Sequence, residues 1–167
     1  MKNILFYCLL IGLFCINACG VKYSFTGTSI NPDVKTVSVE RIPNQASLVL
    51  PSLSQTLEEK LKDKFTTEAR LDLVTEEGHA AFSGTITQYD IRPAASGAND
   101  QAALNRLTIS VRMEYTNSIT EENWSSNFTH FSDFDRDANL TDVENSLIDE
   151  ITDRIVDDIF NKAFSNW

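Results

Sequence analysis

The sequence predicts an α+β domain, with two helices packed on one face of a largely antiparallel four- to five-stranded sheet. Three stretches carry that reading. In "PSLSQTLEEKLKDKFTTEA" (51–69), Leu53, Leu57, Leu61 and Phe65 recur every four residues and draw one apolar stripe on a helix. In "LNRLTISVRMEYT" (104–116), Leu107, Ile109, Val111, Met113 and Tyr115 alternate with Arg106, Thr108, Ser110, Arg112 and Glu114. That is the signature of an antiparallel strand with one packed and one open face. In "TDVENSLIDEITDRIVDDIFNKAFSNW" (141–167), Leu147, Ile148, Ile151, Ile155, Ile159 and Ala163 form a stripe widened by Val156, Phe160 and Phe164. A long helix with so wide an apolar face should be the main lid over the sheet.

The other elements follow in order. "KTVSVERI" (35–42) sets Val37 and Val39 against Ser38 and Glu40, a strand closed by Pro43-Asn44. The first helix opens on Pro51, and Ser52 with Gln55 resembles a capping box. Glu58–Lys62 and Glu59–Lys60 are expected on its wet side. "LDLV" (71–74) reads as a short strand and Glu76-Glu77-Gly78 as a turn. "HAAFSGTITQYDI" (79–91) reads as a long strand with Phe82 and Ile86 on one face and an irregularity near Gly84 or Tyr89. "RPAASGANDQ" (92–101), small and polar, is expected to be a hairpin tip. "NWSSNFTHFSDF" (123–134) is a further strand, rich in aromatics. The last helix has Thr141 and Glu144 at capping-box spacing, acids in its early turns and Lys162 near its end, which suits the helix dipole. Strand, helix, several strands, helix is an order that places both helices on one face of the sheet.

The N-terminus is of another kind. Met1-Lys2-Asn3 precedes an apolar run from Ile4 to Ile16, too short to cross a bilayer, which takes roughly 20 residues. A short positive head, a short apolar middle and a small-residue exit match a secretory signal. The exit resembles a bacterial lipoprotein box: Ile16, Ala18 and Cys19 fit, and Asn17 is larger than the usual occupant. The expected organisation is a lipoprotein signal peptide over 1–18 and a single domain over 34–167. Between them, 19–33 would be a lipidated N-terminus and tether, with at most a short strand around Tyr23–Phe25. The alternative is an ordinary signal peptide cut nearby, or a membrane-anchored start. Gly20 stands where an aspartate often retains lipoproteins in the inner membrane, and no acidic run follows Cys19, so the expected address is the periplasmic face of the outer membrane.

Losing the signal would remove Lys2, Cys8 and Cys15, leaving 13 basic against 24 acidic residues, a net charge near −11. Such a surface repels nucleic acid, and the mature domain would have no disulfide. No catalytic constellation stands out: His79 and His130 are the two histidines, and neither a Gly-x-Ser-x-Gly elbow nor a zinc-type spacing occurs. No cofactor or metal is expected. The sharpest local motif is "DFDRDANLTDVE" (133–144). Asp133, Asp135, Asp137, Asn139, Thr141 and Glu144 have the spacing of an EF-hand calcium loop. Ala138 stands where the sharp turn calls for glycine, so an acidic turn entering a helix is the more economical reading. On the open face of the sheet, Arg106 and Arg112, with Arg92 at the tip, are candidate contacts for phosphate or carboxylate. Their competing use is pairing with acids on neighbouring strands.

The chain resembles the LPS-assembly lipoprotein family LptE in its Bacteroidetes form. The resemblance runs through "CGVKYSFTGTSI", "TVSVERIPNQASLVLPSLSQTLEEKLKDKF", "GTITQYDIRPAA", "RLTISVRMEY" and "DDIFNKAFSNW". It implies an outer-membrane lipoprotein that acts as plug and assembly partner of the β-barrel LptD, in a complex that places lipopolysaccharide in the outer leaflet. Function would then be binding and occlusion, with no bond made or broken. The rival reading is a periplasm-facing lipoprotein that scaffolds or inhibits an envelope enzyme without touching lipopolysaccharide.

Overall fold

The computed structural model describes residues 30–94 and 104–164. Its elements are β1 (Thr36–Val39), α1 (Pro51–Thr67), β2 (Asp72–Leu73), β3 (Ala80–Ala94), β4 (Leu104–Asn117), β5 (Asn123–Asp135) and α2 (Leu140–Phe164). The five strands form one sheet in the order β2-β1-β3-β4-β5. β3, β4 and β5 are an antiparallel meander. β1 runs parallel to both β2 and β3, and α1 makes the crossover that a parallel pair requires. The fold is therefore α+β with a largely antiparallel sheet. The expected strand around Tyr23–Phe25 and residue Cys19 lie outside the described residues. Of the expected tip at 92–101, Arg92, Pro93 and Ala94 belong to β3 and pair with Arg106, Asn105 and Leu104 of β4; the rest lies outside the described residues.

The core forms where the two helical stripes meet the inner face of the sheet. Leu53, Leu57, Leu61 and Phe65 of α1 are buried, as are Leu147, Ile148, Ile151, Ile155, Val156, Ile159, Phe160 and Phe164 of α2. Phe82, Tyr115 and Trp124 lie directly opposite one another across three strands. Their ring centroids are 4.9 and 5.3 Å apart in turn. Phe65 stacks on Phe82 at 4.4 Å, and Phe164 meets Phe65 edge-on at 5.7 Å. Both helices thus close on the same aromatic row.

β3 could not serve that core along its whole length without a break in register. Ala80, Phe82 and Ile86 are buried at even positions, but so is Tyr89 at an odd one. A β-bulge at Thr87, between Ile86 and Gln88, resets the alternation. The irregularity expected near Gly84 or Tyr89 falls between them. Beyond the bulge the Tyr89 hydroxyl donates to Glu144 Oε1 at 2.5 Å; burial, reinforced by that carboxylate, pushes the phenol well above its usual pKa.

Several polar expectations are corrected. Neither capping box forms. Leu50 precedes α1 in extended conformation with no side-chain cap, and Gln55 instead donates to Glu59 at 2.8 Å. At α2 it is Asn139 whose Oδ1 accepts from Thr141 N–H at 3.3 Å, because Glu144 is taken by Tyr89. Glu58 leaves the solvent side to accept Ile42 N–H at 2.8 Å. Lys60 also leaves it, bridging to Asp149 at 2.6 Å and to Asp153 on α2. One turn on, Lys64 reaches Asp157 at 2.8 Å. Asp149, Asp153 and Asp157 of α2 therefore face α1, a pairing set by the helix–helix approach and invisible to a reading of each helix alone.

Truncating Phe65→Ala should lower stability by about 3–5 kcal/mol, read as a fall in the urea midpoint with little change in slope. Deleting Thr87 should remove the bulge yet keep Gln88 opposite Ser110 and Tyr89 opposite Ile109, so a sharp thermal transition should survive; inserting one residue between Gln88 and Tyr89 should turn Tyr89 and Ile91 to the outer face and abolish it.

Candidate functional site: the uncovered face of the sheet

Both helices lie on one side, so the other face of β3–β5 is covered by nothing among the described residues. The registers lay its side chains out in rows: Arg92–Arg106–Asp133, Gln88–Ser110–Thr129, Thr85–Arg112–Asn127 and Ser83–Glu114–Ser125. Strand alternation alone produces this, since each inward apolar residue is followed by an outward polar one. The middle row is a hydrogen-bonded ladder. Ser110 Oγ donates to Gln88 Oε1 at 3.1 Å and lies 2.8 Å from Thr129 Oγ1.

The structure brings Arg92 and Arg106 into one row and leaves Arg112 about 20 Å further along β4, at ~3.3 Å per residue. Arg106 grips Asp133 through two bonds, Nε–Oδ1 at 2.7 Å and Nη2–Oδ2 at 2.9 Å. Its guanidinium also lies 3.7 Å from the Phe131 ring centre. These bonds hold the Asp133 carboxyl below the usual carboxylate range. Arg112 has a weaker tie, a bond of 3.2 Å to the neutral Asn127 amide oxygen. Arg92 sits 2.5 Å from Asp90 Oδ2, with its own side chain 78% exposed. The arginine freest to meet a new anion is therefore Arg112, followed by Arg92. Phe131, 44% exposed, was not singled out from the sequence. Parity could have found it: Trp124, Phe128 and Phe134 share the inward phase of β5 and Phe131 breaks it.

The calcium spacing does not become a coordination shell. Asp133 is on the outer face with Arg106, whereas Glu144 is on the inner side with Tyr89. Asp135 Oδ1 turns back to accept Asp137 N–H at 2.9 Å. No group of acidic or histidine side chains placed to hold a metal occurs among the described residues. His130 lies on the helix side, 2.7 Å from Asp158 of α2, so Asp133, near in sequence, points to the opposite face. His79 ties the chain entry: its Nδ1 is 3.2 Å from Lys35 N and 3.1 Å from the Asp33 carbonyl. What remains is the uncovered face itself, broad and polar, with arginines at intervals.

A family model described as LptE, lipopolysaccharide-assembly, matches residues 34–163. The chain belongs to the LptE family. Several solved structures share the sheet-and-helices fold, among them these. A protein from Xanthomonas campestris is 11% identical, with a TM-score of 0.56 over 82% of this chain and 90% of its own. The uncharacterized lipoprotein B from Nitrosomonas europaea is 14% identical, with 0.55 over 87% and 91%. A hypothetical protein from Chlamydia trachomatis is 7% identical, with 0.55 over 79% and 99%. At such identities these likenesses show the fold alone. No curated protein sequence matches the chain. No described helix is long and apolar enough to cross a membrane.

Replacing Arg106→Gln should return the Asp133 carboxyl to the ordinary carboxylate range, measured by its carbon chemical shift in a pH titration. The sign follows from linkage. A depressed native pKa contributes stability above the unfolded value and loses it as pH falls through the native one. The native chain should therefore lose more stability than the variant on acidification below about pH 4.

Proposed function

We propose that this LptE-family chain is an outer-membrane lipoprotein, anchored through Cys19 on the periplasmic face, and that it serves as plug and assembly partner of an LptD-type β-barrel delivering lipopolysaccharide. The observation that carries the reading is the family match over nearly the whole domain, joined to a sheet with one face left bare. Two features of the geometry support it. Ile30 and Asn31, where the described chain begins, line a shallow cavity with Tyr115, Asn117 and Phe164, at the β4–β5 turn end. The β3–β4 connection leaves from the other end of β4, a strand of 14 residues and so about 45 Å long. A domain tethered at one end can thus reach further than the ~30 Å hydrocarbon core. The bare face is also of the right kind: serine, threonine, asparagine and glutamine suit the polar inner wall of a membrane barrel.

On this reading the phosphates of lipid A meet the outer-face arginines, with Arg112 and Arg92 ahead of Arg106 because Arg106 already holds Asp133. Solubilising native membranes and isolating the protein through a C-terminal tag should bring down a large β-barrel. A preparation free of any barrel would remove the assembly reading. Intact-mass analysis of the same preparation should find acyl chains on Cys19; an unmodified start elsewhere would remove the anchor. With purified lipopolysaccharide, Arg112→Ala should weaken retention several-fold and more than Arg106→Ala.

A further inference from the structure

Where the chain enters the domain, three segments surround a cavity of about 370 Å³. Ile30 and Val34 form one wall, Tyr115, Asn117 and Glu122 the second, and Phe164 of α2 the third. A cavity of roughly 150 Å³ holds benzene, so this one admits a larger ring with some backbone beside it. Its apolar part belongs to the aromatic row: Tyr115 is 2% exposed, Phe164 is 5% exposed, and their rings meet edge-on at 6.3 Å.

The polar lining is incomplete. Asn117 Nδ2 donates to the Tyr115 hydroxyl at 2.9 Å, and Asn117 Oδ1 accepts from the Ile119 and Thr120 N–H groups at 2.9 and 3.1 Å. Burial pushes the Tyr115 phenol above its usual pKa, so it keeps its proton. That proton finds no acceptor among the described residues. A fitting occupant therefore brings a ring for the apolar part and an acceptor for the hydroxyl.

α2 ends at Phe164, on the rim of this cavity, and Ser165, Asn166 and Trp167 follow it outside the described residues. Three residues span at most about 10 Å, which keeps Trp167 within reach of a cavity that its own helix borders. The order of residue types is also that of a helix-terminating turn. With Ser165 as C-cap, Asn166 stands at the next position, where asparagine accepts the left-handed conformation. Trp167 then takes the place whose side chain folds back on the final turn.

We propose that Trp167 occupies this cavity and clasps the entry segment, residues 30–34, to the end of α2. The indole packs against Tyr115 and Phe164, and a carbonyl of the Ser165–Asn166 turn accepts the Tyr115 proton. A buried indole N–H needs a partner. Glu122 supplies it: its Oε2 accepts from Thr120 Oγ1 at 3.2 Å, and its other oxygen serves the indole. The consequence is mechanical. In a chain held at Cys19, the anchor pulls on the domain through residues 30–34. With the clasp closed, that pull is borne by the aromatic row and does not peel the entry segment away. The consequence rests on the anchored reading above, whereas the clasp itself does not.

The chain has two tryptophans, so Trp124→Phe leaves Trp167 as the sole emitter. In that variant, purified from membranes in detergent, the emission should lie to the blue of free tryptophan. It should resist acrylamide several-fold and be indifferent to a brominated detergent. Adding Thr120→Phe, which fills the cavity from the β4–β5 turn, should shift the emission to the red and restore quenching while the thermal transition stays sharp. With Trp124 in place, Trp167→Ala should raise amide hydrogen exchange at Asn31, Asp33 and Val34 about tenfold, because local opening there becomes easier. The proposal is overturned by the emission of a solvent-exposed indole, by quenching from the brominated detergent, which would put the ring in lipid, by indifference to Thr120→Phe, or by unchanged exchange in Trp167→Ala. No barrel takes part in these measurements, so failure of the clasp and failure of the assembly reading are told apart.

Discussion

The structure depends on one row of rings. Phe82, Tyr115 and Trp124 stand side by side on β3, β4 and β5, and Phe65 and Phe164 close on them from the two helices. Aromatic cross-strand neighbours strengthen a particular register, and a slip by one residue would carry every ring to solvent. Because both helices seek the same row, they settle on the same face. Among the described residues the other face is left bare as a geometric consequence. Its openness requires no separate device.

That bareness decides the chemistry the molecule can offer. Half of each long strand must be polar, and the outer half supplies hydroxyls, amides and three spaced arginines. The surface suits recognition over a wide area. The pairing of Arg106 with Asp133 and Phe131 shows how a charge is kept on such a face without becoming sticky: the fork is satisfied bidentately and its plane is stacked. Arg112, matched with a neutral amide, keeps more of its capacity.

The inter-helix ion pairs follow a similar logic. Lys60 and Lys64 each meet acids of α2 while keeping about a fifth of their side-chain surface in solvent. Burial lowers their pKa, but the hydrogen bonds and charges of Asp149, Asp153, Asp157 and Glu68 outweigh it and raise both lysines above the ordinary value. Partly exposed pairs of this kind contribute modestly to stability. Their role here is orientation, since the acidic stripe on α2 has to face either α1 or solvent and the two lysines select α1.

Much of this was legible in the chain itself. Residues 53–65, 104–116 and 141–164 carry periodicities of nearly four, two and nearly four, and such periods hold whatever the neighbours are. The element order, both buried stripes and the sidedness of β4 follow from them. What depended on partners distant in sequence was not legible. Glu144 had the spacing of a cap, yet Tyr89, 55 residues away, takes it. Thr87 looks like any strand residue, and only the need to turn Tyr89 inward makes it a bulge. Asp133 and Glu144 shared a ligand spacing, but a strand and a helix sent them to opposite faces. Local sequence determined which side of each element is apolar, because that is a property of side chains at fixed angular intervals. The tertiary structure alone decided which charges meet and where the register breaks, because those depend on distances between residues far apart along the chain.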